Sequence, residues 1–266
     1  MASESTIQAR ATGAKATPIA AAPMAHQAVH DTVVQILRAL PRGKVLDVPA
    51  GEGALAAALI EAGFDVRCCD LYPEIFRLPE VEITRGDLNG ALPYDSRSFD
   101  YVTCVEGLEH IENPQQAVRE FARVLRPGGH LVTSVPNILN IEERMKWLIH
   151  GHTSHFRPLT RAHVASIRQQ LDGKEEMALH VNPISYSELR YTLEEQGFEI
   201  VQLHRDKPKS KLWLYWPIVA LIRLIGSLTP ERQRRERWTK ELASDEILLG
   251  GNTLIVHAVL SNVADT

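Results

Sequence analysis

The chain has 266 residues, 44% of them apolar and 23% charged, the composition of a folded globular protein and the length of one domain with insertions. Its three cysteines, Cys68, Cys69 and Cys104, all fall in expected strands, which argues against a disulfide framework and for reduced thiols in a cytoplasmic compartment. The net charge of −4 conceals a split: Arg205 to Lys240 carries ten Lys or Arg against three acids, a net +7, while the remainder is −11. Such a segment suits an acidic partner, whether anionic lipid, a phosphorylated substrate or nucleic acid.

In chain order, residues 1–23 are rich in Ala, Ser and Thr and lack the apolar stretch of a signal peptide, so they read as a disordered tail. From His26 to Leu40, Val29, Val33, Ile36, Leu37 and Leu40 recur at helical spacing. A strand at Val45 to Val48 follows, then a Gly-rich turn and a helix over Gly53 to Ala62. Further strands are expected at Asp65 to Cys69, Val81 to Arg85 and Phe99 to Val105. A helix from Pro114 to Leu125 stops at Pro127-Gly128-Gly129, and a fifth strand runs from His130 to Val135. The alternation predicts a parallel sheet with helices on both faces. Ser187 to Gln196 reads as a helix capped by Ser185 or Ser187. Phe198 to His204 and Thr253 to Leu260 read as two last strands, with about 45 residues inserted between them.

The most telling stretch is Asp47-Val48-Pro49-Ala50-Gly51-Glu52-Gly53, where a buried strand ends in an acid and a turn lets the backbone approach a ligand. About twenty residues on, a second strand ends in Asp70, the place of a ribose-binding carboxylate in a doubly wound sheet. Gly86-Asp87-Leu88, Phe99-Asp100-Tyr101-Val102, Glu106-Gly107-Leu108-Glu109-His110 and Leu125-Arg126-Pro127-Gly128-Gly129 follow in order. Together these motifs resemble the class I S-adenosylmethionine (SAM) dependent methyltransferases. The resemblance covers about Lys44 to Asn137 and returns at His180 to Phe198 and Gly251 to Leu260. It implies an α/β Rossmann-like sandwich on a seven-stranded, mostly parallel sheet whose last strand is antiparallel. One departure stands out: Pro49 occupies the position of the family's first loop glycine, fixing φ and removing an amide donor.

The resemblance implies a division into a SAM-binding core over 24–137, an acceptor-binding cover over 138–184, and the end of the core over 185–266 with an apolar and basic insertion at 205–250. It places Asp47, Pro49, Ala50, Gly51, Gly53, Asp70, Leu71, Asp87, Leu88 and Glu106 around SAM. Asp70 would accept from the ribose hydroxyls and Asp87 from the adenine amino group. Methyl transfer to a hydroxyl is an in-line displacement at a cationic sulfonium, so the protein must supply position and a place for the proton. His110, with Glu106, is the candidate catalytic pair. Glu106, Glu109 and His110 also resemble the Glu-x-x-Glu-His of two metal-dependent branches, the ubiquinone-biosynthesis O-methyltransferases and the small-RNA 2′-O-methyltransferases. There a divalent ion such as Mg²⁺ would need a further His, with His150, His152, His155 and His180 available. His152, His155 and His180 are the candidate acceptor-binding residues.

His180-Val181-Asn182-Pro183 before a helix resembles methyltransferases of bacterial surface-glycan gene clusters. The expected acceptor is therefore a sugar hydroxyl of a glycan or its lipid-linked precursor. The alternatives are a quinone precursor or small phenol and, in another class, a silent SAM-binding scaffold. The run Leu212 to Ile222, with Trp213, Tyr215 and Trp216 beside Lys207, Lys209 and Lys211, is too short to span a bilayer. It reads either as an interfacial segment on an anionic membrane's inner face or as a flap packed on the domain or on a second subunit of a homodimer. Nucleic acid is not the expected partner, because the basic segment is joined to an apolar run and no RNA-binding domain is visible.

Overall fold

A computed structural model describes residues 21–209 and 212–261. The strands are β1 (Lys44–Asp47), β2 (Asp65–Asp70), β3 (Ile83–Arg85), β4 (Phe99–Cys104), β5 (Leu125–Pro136), β6 (Phe198–Arg205) and β7 (Thr253–Leu260). They form one sheet in the order β3-β2-β1-β4-β5-β7-β6, parallel throughout except that β7 runs antiparallel to both β5 and β6. The order reverses at β1, which pairs with β2 on one side and β4 on the other. Open α/β sheets bind ligands at the carboxyl ends of such a pair.

Alternation along the strands puts a separate core on each face. Val45, Cys68, Tyr101, Val132 and Ile255 join one cluster, and their neighbours Leu46, Cys69, Val102, Leu131 and Val256 join the other. The first face is covered by α1 (Gln27–Arg38) and α2 (Ala54–Glu61), through Val29, Val33, Leu37, Leu55 and Leu59. The second is covered by α3 (Pro114–Val124) and α6 (Tyr186–Glu195), through Val118, Phe121, Leu189 and Leu193. Two buried faces explain why these strands are apolar throughout rather than at every second residue. All three cysteines are buried and unpaired.

Several boundaries differ from the sequence expectation. Strand β5 begins at Leu125, not His130: Phe99 pairs with Leu125 and Tyr101 with His130, so Pro127-Gly128-Gly129 forms a bulge within the strand. Of the two candidate caps for α6, Ser185 is used, in a capping box with Glu188 whose carboxylate accepts the Ser185 N–H at 2.7 Å. The expected tail over 1–23 lies outside the described residues up to position 20. Residues 21–23 are placed, and the Ala22 N–H donates to Glu52 at 2.9 Å.

Between β5 and α6 lie α4 (Ile141–His150) and α5 (Arg161–Gln170). The insertion between β6 and β7 folds into α7 (Trp216–Leu228), α8 (Glu231–Glu236) and α9 (Thr239–Leu242). Buried Val219 of α7 packs with Ile141 of α4 and Leu248, beside the edge where Pro136 of β5 meets Thr253 of β7.

Candidate active site

A cavity of about 280 Å³ opens at the carboxyl ends of β1, β2 and β4. Nine of the ten residues expected around the cofactor line it: Asp47, Pro49, Ala50, Gly51, Asp70, Leu71, Asp87, Leu88 and Glu106. Gly53 does not. It takes a left-handed conformation (φ +98°) just before α2, and a Cβ there would lie 2.7 Å from the Phe76 ring. Its role is to turn the chain and let Phe76 pack. At Gly51 (φ +53°) a Cβ would lie 2.7 Å from Met24 Sδ, so the glycine makes room for Met24, which lines the cavity.

The three acids sit in different surroundings. Asp70 accepts the N–H of Gly51 on one oxygen and of Tyr72 on the other, both at 2.8 Å, which locks the loop to the end of β2. Each oxygen keeps a lone pair for a ligand hydroxyl. Asp47 is buried; Thr103 Oγ1 donates to its Oδ1 at 2.8 Å, and its Oδ2 has no partner. Burial pushes its carboxyl up to about 7. Asp87 Oδ1 accepts the Asn89 N–H at 2.8 Å. An unpartnered buried acceptor beside an acid with free lone pairs suits a ligand that carries positive charge and hydroxyls, as SAM does.

Pro49 is accommodated by a glycine across the site. A Cβ on Gly107 would lie 2.6 Å from Pro49 Cδ, so the ring occupies the space that a side chain after β4 would fill. Glu106, also at positive φ (+49°), turns its carboxylate toward β5, where Ser134 Oγ donates to it at 3.1 Å and accepts the Glu106 N–H at 3.0 Å. Burial raises its carboxyl to about 7.

The structure corrects the expected metal set. Glu109, His110 and His180 come together with candidate ligand atoms all within 4.8 Å, and Glu106 stays outside, held by Ser134. His180 reaches this place because the Glu109 carbonyl accepts the N–H of both Val181 (2.9 Å) and Asn182 (3.0 Å). Glu109 is fully buried, its two carboxylate oxygens have no hydrogen-bond partner, and burial holds its carboxyl well above the usual range. His110 Nδ1 lies 3.1 Å from the Leu179 carbonyl oxygen. A carbonyl only accepts, so Nδ1 carries the proton and Nε2 presents a lone pair. Burial lowers the pKa of His110, and that of His180 to about 4, so both are neutral near pH 7. The unpartnered carboxylate, the unpartnered His180 Nδ1 and the His110 lone pair fit a divalent cation.

His152 and His155 do not line the cavity. The loop carrying them folds back on α4: Glu143 accepts the Ser154 N–H at 2.6 Å and pairs with Lys146, which in turn donates to Ser154. His155 stacks on His180, with ring centres 5.8 Å apart. The covering residues lie later in the expected acceptor cover, at Glu176, Met177 and Ala178. Tyr72 Oη donates to Glu176 at 2.7 Å and ties this cover to the end of β2. Nothing in the spacing of Tyr72 or Glu176 could have revealed that contact.

Residues 46–133 match the family model described as a methyltransferase domain. The chain is 29% identical over 194 residues to a demethylmenaquinone methyltransferase of Renibacterium salmoninarum, covering 68% of this chain and 81% of that relative. It is 36% identical over 112 residues to a ubiquinone biosynthesis O-methyltransferase of Xanthomonas campestris pv. campestris. That match covers 37% of this chain and less than half of the relative, 45%. A solved SAM-dependent methyltransferase of Archaeoglobus fulgidus shares the fold, with a TM-score of 0.52 at 15% identity over 86% of this chain and 94% of that one. The sheet order is that of the class I SAM-dependent methyltransferase fold, and the domain match over residues 46–133 supports a catalytically active SAM-dependent methyltransferase. The expected surface-glycan acceptor is overturned, because these sequence relatives are named for quinone biosynthesis and not for glycan modification.

Proposed function

We propose that this methyltransferase acts on a phenolic oxygen of a quinone precursor or a similar small phenol. The observation that carries the reading is the Glu109–His110–His180 cluster, which offers a neutral imidazole lone pair beside a buried acid where His110 and His180 line the cavity. The quinone-pathway names of the relatives support it.

SAM supplies a methyl group on cationic sulfur. Asp70 would hold the ribose hydroxyls, Asp87 the adenine amino group, and Asp47 the positively charged amino-acid end. As the oxygen–carbon bond forms and the sulfur–carbon bond breaks, His110 Nε2 takes the hydroxyl proton, while the Leu179 carbonyl keeps the ring oriented. His110 needs no shift of charge to do so, since burial already holds it neutral. A divalent ion held by Glu109, His110 and His180 would bind acceptor oxygens and acidify the hydroxyl. In that case His110 would serve as a ligand, and the acidified hydroxyl would release its proton to solvent water.

Turnover of labelled SAM with a benzene-1,2-diol, a monophenol and a hexose tests the reading. Label should pass to the phenols and not to the sugar. Transfer to the hexose alone would overturn it.

A further inference from the structure

Helix α7 has two apolar faces, and the fold uses one. Val219 and Gly226 are buried and Ile218 and Ile222 half-buried, at the spacing of a single stripe packed on Ile141 and Leu248. On the other side Leu221, Leu224, Ile225 and Leu228 are each more than half exposed, reaching 74% at Leu228. Trp213 and Trp216, just before and at the start of the helix, are 75% and 64% exposed. The one charged residue in α7, Arg223, is half-buried and reaches across to the segment before β7, where it pairs with Asp245 at 2.5 Å and donates to the Ala243 carbonyl. The outer face therefore carries no charge. Scattered exposed apolar residues are ordinary on a protein surface, but a continuous face rimmed by charge marks an interaction site. Helix α4, which meets α7 at Ile141, adds exposed Trp147, Leu148 and Ile149.

The charge next to this face has one sign. After Thr229 and Pro230, α8, Arg237 at its end and α9 carry Arg232, Arg234, Arg235, Arg237 and Lys240 against Glu231, Glu236 and Glu241. Glu231 and Glu236 pair along α8 with Arg235 and Arg232, and Glu241 pairs with Arg190. Arg234, Arg237 and Lys240 have no carboxylate partner among the described residues.

We propose that α7 docks in the plane of an anionic lipid bilayer, the outer leucines and tryptophans in the acyl boundary and the unpaired cations Arg234, Arg237 and Lys240 on the lipid phosphates. No helix among the described residues is long and apolar enough to cross a membrane, and a helix of 13 residues with one face on the protein is built to lie on it. Charge favours lipid over a second copy of the chain: phosphates complement the surplus cations, whereas a second copy brings the same surplus. Helix α7 packs beside the carboxyl end of β5, on the same edge of the sheet as the cavity, so docking would bring the bilayer to that edge. The proposal does not depend on which acceptor the enzyme uses.

The test is sedimentation of the full chain with vesicles of phosphatidylglycerol and phosphatidylcholine in equal parts, and with phosphatidylcholine alone. The wild-type protein should pellet with the anionic vesicles and be partly released by salt. The triple variant Leu221→Ser, Leu224→Ser, Leu228→Ser should bind about tenfold more weakly or worse. The variant Arg234→Gln, Arg237→Gln, Lys240→Gln should lose about fivefold per removed charge at low salt, on anionic vesicles only. All six positions lie outside the cavity, so wild-type SAM affinity in each variant confirms that it is folded. A wild-type protein that stays in solution with anionic vesicles overturns the proposal, as does a serine variant that binds them normally. A dimer abolished by the serine variant, without vesicle binding, would make a second copy the occupant and overturn it too.

Discussion

The imidazoles of His110 and His180, far apart in the chain, meet edge to face with ring centres 4.7 Å apart. Neither is charged near neutral pH, and the buried Glu109 carboxyl beside them has no hydrogen-bond partner. A cluster of this kind is costly to leave empty, because unpaired buried acceptors forfeit their hydration.

Divalent cations should therefore stabilise the protein. At a concentration about a hundred times the dissociation constant, the expected gain is roughly 2.7 kcal/mol, visible as a rise in Tm. His180→Ala should abolish the rise. Mn²⁺ binding followed by electron spin resonance gives a readout independent of activity. If no divalent ion shifts Tm or binds, the cluster is not a metal site and His110 acts as the base alone. His110→Ala should then lower turnover about 10²–10⁴-fold with little change in SAM affinity.

Asp70→Ala should weaken SAM binding by roughly 1.5–3 kcal/mol, the scale for hydrogen bonds to a charged acceptor. It should also lower global stability by about 1–2 kcal/mol, since the N–H groups of Gly51 and Tyr72 lose their acceptor. Calorimetry and urea unfolding measure the two effects separately. Unchanged SAM affinity would remove Asp70 from the cofactor site.

SAM affinity should depend on pH through Asp47. Its folded-state pKa of about 7 lies above the ordinary 3.8, so with the cavity empty the folded protein holds a proton that the unfolded chain releases. That contribution to stability is complete below about pH 4 and is lost as pH rises through 7. A cationic ligand favours the ionised carboxyl, which reverses the sign for binding. Affinity should rise with pH up to about 7 and then level off. Asp47→Asn should flatten the profile in calorimetry across that range.

Much of this site was legible in the sequence because the cofactor edge is built from short, contiguous segments. Asp47 and Asp70 close β1 and β2, Pro49 to Gly51 form the turn after β1, and Asp87 lies two residues past β3, so each reaches the cavity from the end of a strand. The acceptor side was less legible, since its contacts join distant segments. His180 was one of four candidate histidines, and what selects it is a pair of backbone hydrogen bonds to the Glu109 carbonyl that no spacing encodes. Glu106 was read as a metal ligand from its motif, but Ser134, a residue of β5 with no motif of its own, claims its carboxylate. The glycan acceptor failed for a related reason: a short His-Asn-Pro pattern reports a local turn, not the molecule bound above it.

Asn140 had no sequence signal, yet it joins three segments while fully buried. Its Nδ2 donates to the carbonyls of Asn137 (2.8 Å) and Gly251 (2.9 Å), and its Oδ1 accepts the Glu143 N–H (3.0 Å) to cap α4. Asn140→Ala should cost about 2–4 kcal/mol, combining a lost cap with orphaned buried carbonyls. Urea unfolding checks this, and a loss below about 0.5 kcal/mol would mean the network is not needed.

The most direct measurement of the central claim uses SAM carrying a ¹³C-labelled methyl group, a benzene-1,2-diol acceptor and NMR of the product. Methyl transfer to a phenolic oxygen beside His110 predicts a single labelled signal from a methyl group bound to aromatic oxygen, formed about 10²–10⁴-fold more slowly when His110 is replaced by Ala. A label attached to ring carbon, or no transfer to any phenol while SAM is bound, would contradict the account.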